Sequence, residues 1–390
     1  MKSCVALLPA ALDYVEKNTM RELFESTIER LLADLVTPEL IRHCEAGQWP
    51  TELWTAIEAS GFVVAAAPES LGGSDASWGD LYGVVKAAGR HNLPLPLPES
   101  LLANWLLGQC GLEARNEPLG IAMRSTLRLD HGHTTGALFD TPWIAPTDTR
   151  VSGTLLDVSW GRDVNHVVAI IPAERPMLLL LARSDAAINT KLNTAGEPRD
   201  DLIFENAAPI ATANLPSHLN DDVLWWGGAM LRTAQIAGAL EATMNLSIRY
   251  ATERVQFGKP ISAFQAIQHQ LAQMAQQTGS SVVSAEAAFT ESNTQLAALQ
   301  IASAKICSAE AAGTVAAMAH AVHGAIGFTH EHALQQGTRR LWAWRSEFGN
   351  LGHWAQRLGG AVAKGGAPAL WPAVTSGQLA TLSSPQVNTP

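Results

Sequence analysis

Cysteine is scarce in this sequence, and nothing in its distribution suggests cross-linking or metal binding. The 390 residues include four cysteines, and no two have Cys-x-x-Cys spacing: Cys4, Cys44, Cys110 and Cys307. We therefore expect reduced, mostly buried thiols in a cytoplasmic protein rather than a disulfide or zinc framework. The twelve histidines contain no His-Glu-x-x-His pattern. No metal site is expected.

Basic residues are also few. Lysine and arginine together number 26 against 36 acidic residues, which gives a net charge of −10. Because no basic stripe or block is present, binding to nucleic acid or to an anionic membrane is not expected.

Long apolar runs are missing although the sequence is 47% hydrophobic. No uninterrupted apolar run reaches about 18 residues, so no membrane-spanning helix is expected. The apolar start of the chain is interrupted by Asp13 and Glu16, too early for a secretory signal. We expect residues 1–19 to be a loose extension and Met20 to open the folded region.

The pattern of apolar residues changes twice along the chain. Residues 20–115 show the i, i+3, i+4 spacing of helices, which predicts helices at 21–35, 38–44, 52–60 and 80–89. Residues 116–215 contain short β-rich runs at 167–171, 177–181 and 202–204 between Pro, Gly and Asp turns. Residues 222–358 return to long helices rich in Ala and Gln, which predicts an antiparallel bundle. Residues 359–390 are rich in Gly, Pro, Ser and Thr, and we expect a tail or an arm that packs on a partner. The predicted fold is mostly α with a small β domain.

A distinctive motif lies at residues 250–261. A predicted helix runs up to an Arg-x-x-Phe-Gly turn, where Gly258 and Pro260 break the helical pattern. A second helix restarts at residues 264–269 and carries amide side chains on its face. The guanidinium of Arg254 presents fixed donors in a fork that matches phosphate oxygens.

A second motif follows about 70 residues later in the sequence. Residues 323–332 read as a helix end, a Gly-rich turn and the start of a new helix, which continues to Arg339 and Arg340. Glycine lets backbone approach a dinucleotide closely, and a helix N-terminus favours anions.

Together, in this order and spacing, the two motifs resemble the C-terminal signatures of the acyl-CoA dehydrogenases, FAD enzymes that desaturate acyl-CoA thioesters. Residues 68–74 and 93–100 resemble loop phrases of the same family. The resemblance implies an N-terminal helical domain, a central β domain and a C-terminal four-helix bundle. It also implies an acyl-CoA substrate, an electron-transfer acceptor and a subunit interface through the bundle.

The resemblance further implies which residues contact FAD. In the family, the Arg and the aromatic residue of the turn hold the diphosphate and adenosine half of FAD across a subunit interface. The matching positions here are Arg254, Gln256, Phe257, Gln265 and Gly324. Other positions depart from the family, since Ala321 and Ala325 replace a frequent Gln and the second Gly. The Thr-Glu-Pro to Gly-Ser-Asp phrase that cradles the flavin ring is missing from residues 115–160.

The family's catalytic base is a Glu at one of two positions, and neither is convincingly filled here. Counting along the second motif places one position at Phe348, with Glu347 adjacent. The other lies 26 residues before Arg254, at Gly228. We interpret Glu347 as a solvated or ion-paired carboxylate near Arg345, and no residue of this chain is assigned as the base.

These departures favour a subunit that completes the FAD site of a related, catalytic partner, as in some bacterial enzymes of the family that act on steroid side chains. Two alternatives stay open. One is a self-sufficient homo-oligomeric dehydrogenase that uses Glu347, and the other is a flavin-free structural or CoA-binding partner.

Overall fold

The computed structural model describes residues 7–130, 149–173, 175–289, 292, 294–329, 331–379 and 382, with side chains from residue 20 onward. Three regions follow one another in the chain. Helices form the first, strands the second and long helices the third, which confirms the predicted fold class. Part of the stretch 115–160, from which the flavin-cradling phrase is missing, lies outside the described residues, and this part includes residues 134–143.

The N-terminal region contains five α-helices: α1 (Leu7–Leu35), α2 (Pro38–Glu45), α3 (Thr51–Ala59), α4 (Trp78–Arg90) and α5 (Leu97–Gln109). Side chains cap two of them. The Thr37 hydroxyl accepts a hydrogen bond from the Leu40 amide at 3.1 Å, and Ser77 and Asp80 form a reciprocal capping box at the start of α4. These caps explain why the sequence placed α2 and α4 well.

Two details of this region differ from the expectation. Helix α1 begins at Leu7, upstream of Met20, so part of the expected loose extension is helical. Helix α5 begins inside the stretch 93–100 that resembled a loop, because Pro98 stands in its first turn, where proline's missing N–H costs nothing.

The described residues of the central region, which leave out 131–148 and 174, form nine strands: β1 (Leu119–Ile121), β2 (Arg124–Ser125), β3 (Arg128–Leu129), β4 (Val151–Ser159), β5 (His166–Ile171), β6 (Met177–Ala182), β7 (Ala186–Asn189), β8 (Arg199–Ala207) and β9 (Ala211–Asn214). One sheet has the order β1-β5-β6-β9, with β1 parallel to β5. The other has the order β2-β4-β8-β7, and β3 also pairs with β4.

Strand β5 has an apolar run because both of its faces are buried. Val167 and Ala169 pack with side chains of the second sheet, whereas Val168 and Ile170 join the core formed with the N-terminal helices. Successive side chains of a strand point to opposite faces, so a strand covered on both sides needs apolar residues at every position.

The C-terminal region consists of helices α6 (Val223–Glu253), α7 (Gln265–Ala288), α8 (Ala298–His323), α9 (Leu334–Trp344), α10 (Leu351–Gly365) and α11 (Ala367–Ser376). The short strands β10 (Val255–Gln256) and β11 (Lys259–Pro260) form a hairpin between α6 and α7. Small residues of α8, including Ala312 and Ala316, pack with Leu240 of α6 and Met274 of α7.

The predicted boundary at residue 359 is corrected, because it falls inside α10 and the helical region extends to Ser376. Helix α10 continues through Gly359 and Gly360 because Trp354 and Ala361 are buried against the rest of the fold. The Trp354 ring packs edge to face on Trp226 of α6 at 4.8 Å.

Among the described residues, one helical stretch, Ala298–Phe328, is long and apolar enough to cross a membrane by length and composition alone. Its core is α8, whose buried alanines and valines lie inside the bundle. Packing within the fold accounts for the apolar residues on the buried face of this stretch, of which an 18-residue apolar window is 44% buried. Of the cysteines that the structure describes, Cys110 is buried, whereas Cys44 and Cys307 are only half-buried, and Cys4 lies outside the described residues.

Candidate functional site

The Arg-x-x-Phe-Gly motif forms a tight hairpin immediately after α6. Val255 pairs with Pro260 and Gln256 with Lys259, which leaves Phe257 and Gly258 as the two central residues. Both have positive φ, at 51° and 79°. This is the pattern of a type I′ turn, in which Gly is favourable and Phe is strained.

Phe257 is unusual in a second respect, because its side chain is 92% exposed. The positive φ and the exposure of a large apolar ring to water each lower the stability of the folded chain. Such an arrangement is typical of a residue that is covered when another molecule binds.

The two sequence motifs meet at one end of the helical bundle. Tyr250, in the last turn of α6, stacks on His323 at the end of α8, with ring centroids 4.4 Å apart. His332 packs edge to face on both rings. The hairpin after α6, the Gly324 turn after α8 and the start of α7 at Gln265 therefore lie at the same end.

We call the five predicted FAD contacts the bundle-end surface: Arg254, Gln256, Phe257, Gln265 and Gly324. All five are exposed. Burial lowers the pKa of His320, His323 and His332, with a further contribution from neighbouring charges. These imidazoles are therefore neutral at neutral pH, and the Arg254 guanidinium supplies a permanent positive charge at this surface.

The two positions that counting along the sequence predicts for the family's base, Gly228 and Phe348, are in direct contact. The ring of Phe348 lies against the α-carbon of Gly228, and a Cβ atom built at Gly228 would collide with that ring. Phe348 is 1% exposed and packs edge to face on Trp225 at 6.0 Å. A phenyl ring thus fills the space where either carboxylate would stand.

Glu347, interpreted from sequence as a solvated or ion-paired carboxylate near Arg345, is ion-paired, but it is not solvated and Arg345 is not its partner. Glu347 is buried, and its ion-pair partners are Arg199 and Arg232. Arg199 Nε donates to Oε1 at 2.9 Å, Arg232 Nε donates to Oε2 at 2.6 Å, and Asn193 Nδ2 donates to Oε1 at 3.0 Å.

These partners decide the chemistry of Glu347. Burial by itself raises the pKa of a carboxyl group, but the charges of Arg199 and Arg232 outweigh that effect and hold the pKa of Glu347 well below its ordinary value. A carboxylate with a low pKa and both oxygens bonded is a poor proton acceptor.

The ion pairs around Glu347 continue in both directions through the core. Arg232 Nη2 donates to Glu99 of α5 at 2.7 Å. Arg199 Nη2 donates to Glu197 at 3.0 Å, and Glu197 pairs with Arg340 of α9 at 3.1 Å. We call this set, Glu99, Arg232, Glu347, Arg199, Glu197 and Arg340, the buried charge chain.

Sequence reasoning named Glu347 and Arg340 but did not find the ion pairs that join them to the other members of the buried charge chain. The available signal was weak: a charged residue such as Glu99 within the otherwise apolar run of α5 indicates a buried, paired group. Which arginine pairs with which glutamate depends on tertiary structure.

Models of one protein family match both the N-terminal and the C-terminal helical regions of the chain. The family model for the acyl-CoA dehydrogenase N-terminal domain matches residues 18–117, and the model for the acyl-CoA dehydrogenase C-terminal domain matches residues 227–350. Together they cover more than half of the chain. The chain belongs to the acyl-CoA dehydrogenase family.

Individual proteins resemble the chain along most of its length. It is 26% identical to acyl-CoA dehydrogenase IpdE2 of Mycolicibacterium smegmatis over 322 residues, which cover 81% of this chain and 90% of that protein. Among solved structures, a chain of the ChsE4-ChsE5 complex from Mycobacterium tuberculosis has a TM-score of 0.74 at 23% identity, covering 89% of this chain and 98% of that one. The structure of PigA with FAD and proline also has a TM-score of 0.74, at 15% identity, covering 89% and 98%.

Proposed function

We propose that this chain is the non-catalytic subunit of an FAD-dependent acyl-CoA dehydrogenase assembled from two related chains. The contact between Gly228 and Phe348 carries the proposal, since the family's two base positions hold a glycine and a phenyl ring. The negative charge of the adjacent Glu347 is balanced by ion pairs with two arginines.

The reaction explains why a subunit without a carboxylate at the base positions needs a partner. Desaturation of an acyl-CoA removes a proton next to the thioester carbonyl and a hydride from the adjacent carbon, and bound FAD supplies the hydride acceptor. No carboxylate of this chain stands at either base position to take the proton. A partner subunit would provide the base.

The features of the bundle-end surface fit the diphosphate half of FAD. The exposed guanidinium of Arg254 can bond phosphate oxygens in a bidentate manner. The N-terminus of α7, at Gln265, offers free N–H groups and a favourable helix dipole. Gly324 has positive φ and open space around its α-carbon, which permits close backbone approach. The exposed ring of Phe257 would be covered by the bound molecule or by the subunit that holds it.

The partner in this proposal is a related acyl-CoA dehydrogenase subunit, and the assembly is a dimer or tetramer formed through the C-terminal helices. The solved neighbour named above is a complex of ChsE4 with ChsE5, which supports a hetero-oligomer by analogy of fold. The substrate would be an acyl-CoA, electrons would pass to an electron-transfer acceptor, and the complex would act in the cytoplasm.

Co-expression with a related subunit encoded by a neighbouring gene tests the proposal. We expect the chain to be colourless when purified alone, and the co-purified complex to show flavin absorbance and acyl-CoA dehydrogenase activity. Light scattering at micromolar concentration should give a dimer or tetramer of the complex.

Other outcomes would favour the alternatives. A yellow protein with one FAD per chain, purified alone and active, would support the homo-oligomeric dehydrogenase that uses Glu347. A complex that forms but stays colourless would support a flavin-free structural or CoA-binding role.

A further inference from the structure

A cavity of about 220 Å³ lies between the N-terminal helices and the β domain, apart from the bundle-end surface. One wall is the loop between α2 and α3, which includes Trp49. The opposite wall is the turn after β4, which includes Trp160 and Asp163. Nothing in the proposed function uses this cavity.

The Asp163 carboxylate is the unusual group in the wall. Two other charged residues that line the cavity are fully paired: Glu45 pairs with Arg339 and Arg340, and Arg162 forms a bidentate pair with Asp200. Within the part of the chain that the structure describes, no hydrogen bond or ion pair involves the Asp163 carboxylate. A half-buried carboxylate without a partner is costly, and a bound cation would relieve that cost.

The turn that carries Asp163 is rigid and strained. The Asp200 carboxylate accepts hydrogen bonds from both the backbone amide and the side chain of Arg162, the former at 2.8 Å. Trp160 has a φ of 58°, a left-handed conformation that is costly for a bulky aromatic residue, and its ring is 6% exposed. The backbone therefore holds an indole and a free carboxylate on the same small cavity.

We infer that this cavity binds a small organic cation, an ammonium group on an aromatic or short apolar body. The carboxylate of Asp163 would accept charge-assisted hydrogen bonds from the ammonium. The indoles of Trp49 and Trp160 would offer apolar contact and cation–π attraction. The cavity is too small for a nucleotide or a CoA thioester, and its free charge is negative, which disfavours phosphate.

Two side chains set the chemistry of binding. Burial raises the pKa of Asp163 to about 6, with Arg162 and Arg183 opposing the rise and Asp200 adding to it, so the carboxylate is charged at neutral pH and neutral in mild acid. Burial also raises the pKa of the Cys44 thiol to about 11. Cys44 therefore stays a thiol, and the site is a binding site rather than a nucleophilic one.

Isothermal titration of the full chain with benzylamine tests the inference. We expect saturable binding at neutral pH with a dissociation constant between micromolar and low millimolar. Benzyl alcohol and benzoate, which have a similar body without a positive charge, should bind at least about tenfold more weakly. Affinity for benzylamine should also fall about tenfold between pH 7 and pH 5, as Asp163 becomes protonated.

The decisive variant is Asp163→Asn, with Asp185→Asn on the exposed surface of the β domain as its matched control. Asp163→Asn should weaken benzylamine binding by about ten- to a hundredfold while leaving the fold intact, because it removes an unpaired charge. Thermal unfolding at pH 7.5 checks the fold. Equal affinities of the two variants, or equal binding of benzylamine and benzyl alcohol, would overturn the inference.

Discussion

The side chain of Glu347 shows how neighbouring charges change the chemistry of a carboxylate. In a loop open to water it could accept a proton, but here it lies between Arg199 and Arg232 with its pKa lowered. A buried, paired carboxylate serves to balance buried arginines, and Glu347 is one of the two carboxylates that pair with each of Arg199 and Arg232.

Replacing Glu347 by Gln should therefore affect stability more than chemistry. We expect Glu347→Gln to lower the free energy of unfolding at pH 7 by roughly 3 kcal/mol, because it removes one of the two buried carboxylates that pair with each of Arg199 and Arg232. Urea denaturation measures this difference. Dehydrogenation by the folded complex should stay within a few-fold of wild type.

The pH dependence has a defined sign. Because the folded-state pKa of Glu347 lies below its ordinary value of 4.5, its stabilising contribution is present above about pH 4.5 and is lost as the pH falls below it. The difference between wild type and Glu347→Gln should shrink in that acidic range. Glu205→Gln, at an exposed position of β8, should change stability by less than about 0.5 kcal/mol. A folded, FAD-loaded Glu347→Gln complex without activity would identify Glu347 as the base.

At the scale of elements, the β10–β11 hairpin has a strained turn and leaves the ring of Phe257 exposed. A type I′ turn favours Asn-Gly, yet this chain has Phe257 before Gly258. The Phe257 ring gains little from the fold of the isolated chain, since it contacts Phe264 at its edge and is otherwise exposed.

The variant Phe257→Asn separates the effect of backbone strain at residue 257 from the effect of its exposed ring. We expect the isolated chain to become more stable by about 0.5 kcal/mol, because Asn tolerates the left-handed conformation. FAD retention by the complex should fall, because the exposed ring is lost. Ile210→Asn, an exposed apolar residue in the β domain, serves as the control. If both variants retain FAD equally, the ring of Phe257 has no part in the site.

Lys305 of α8 forms hydrogen bonds with the C-terminal end of α9. Its Nζ is fully buried and donates hydrogen bonds to the carbonyls of Trp344 and Arg345 at 2.9 and 3.3 Å, where α9 ends. Burial lowers the pKa of Lys305 to about 7, because a charged amine is disfavoured away from water even with Glu347 nearby.

This shift predicts a pH effect on stability. Between pH 7 and 10.5 the unfolded chain keeps the Lys305 proton while the folded chain has lost it, so the Lys305 contribution to stability rises with pH. The unfolding free energy of wild type relative to Lys305→Met should rise by up to about 1.4 kcal/mol per pH unit in this range. Urea denaturation at several pH values measures it. Parallel curves for the two proteins would show that Lys305 is not perturbed.

At the scale of the whole molecule, one end of the bundle is exposed while the two predicted base positions are filled by packed side-chain atoms. The bundle-end surface is exposed. The space at Gly228 is filled by Phe348, and the buried charge chain links α5, α6, β8 and α9 around Glu347. This division suits a chain whose contribution is made to another subunit.

Arg254→Ala tests that contribution in the assembled complex. Loss of a charge-assisted pair with the diphosphate, worth about 1.5–3 kcal/mol, should reduce FAD retention about ten- to a hundredfold. Equilibrium dialysis of the complex measures it. Arg128→Ala, an exposed arginine of β3, should leave FAD affinity unchanged, and an unchanged affinity in Arg254→Ala would remove Arg254 from the site.

The sequence by itself determined the elements and the family. Periodicity identified α2, α3 and α4, the continuous apolar runs identified β5 and β6, and two motifs about 70 residues apart identified the acyl-CoA dehydrogenase relationship. These features are local, because propensity, capping and turn chemistry act over a few residues. The turn at Phe257 and Gly258 was predicted for the same reason, whereas its hairpin pairing and the exposure of Phe257 came from the structure.

Tertiary structure alone decided the state of the site. Glu347 meets Arg199 and Arg232, which lie 148 and 115 positions away in the sequence, and the contact of Phe348 with Gly228 joins different helices and loops. Helix α10 extends through glycines because Trp354 packs on Trp226. Ion pairing and burial depend on which surfaces meet, and this information is absent from the local order of residues.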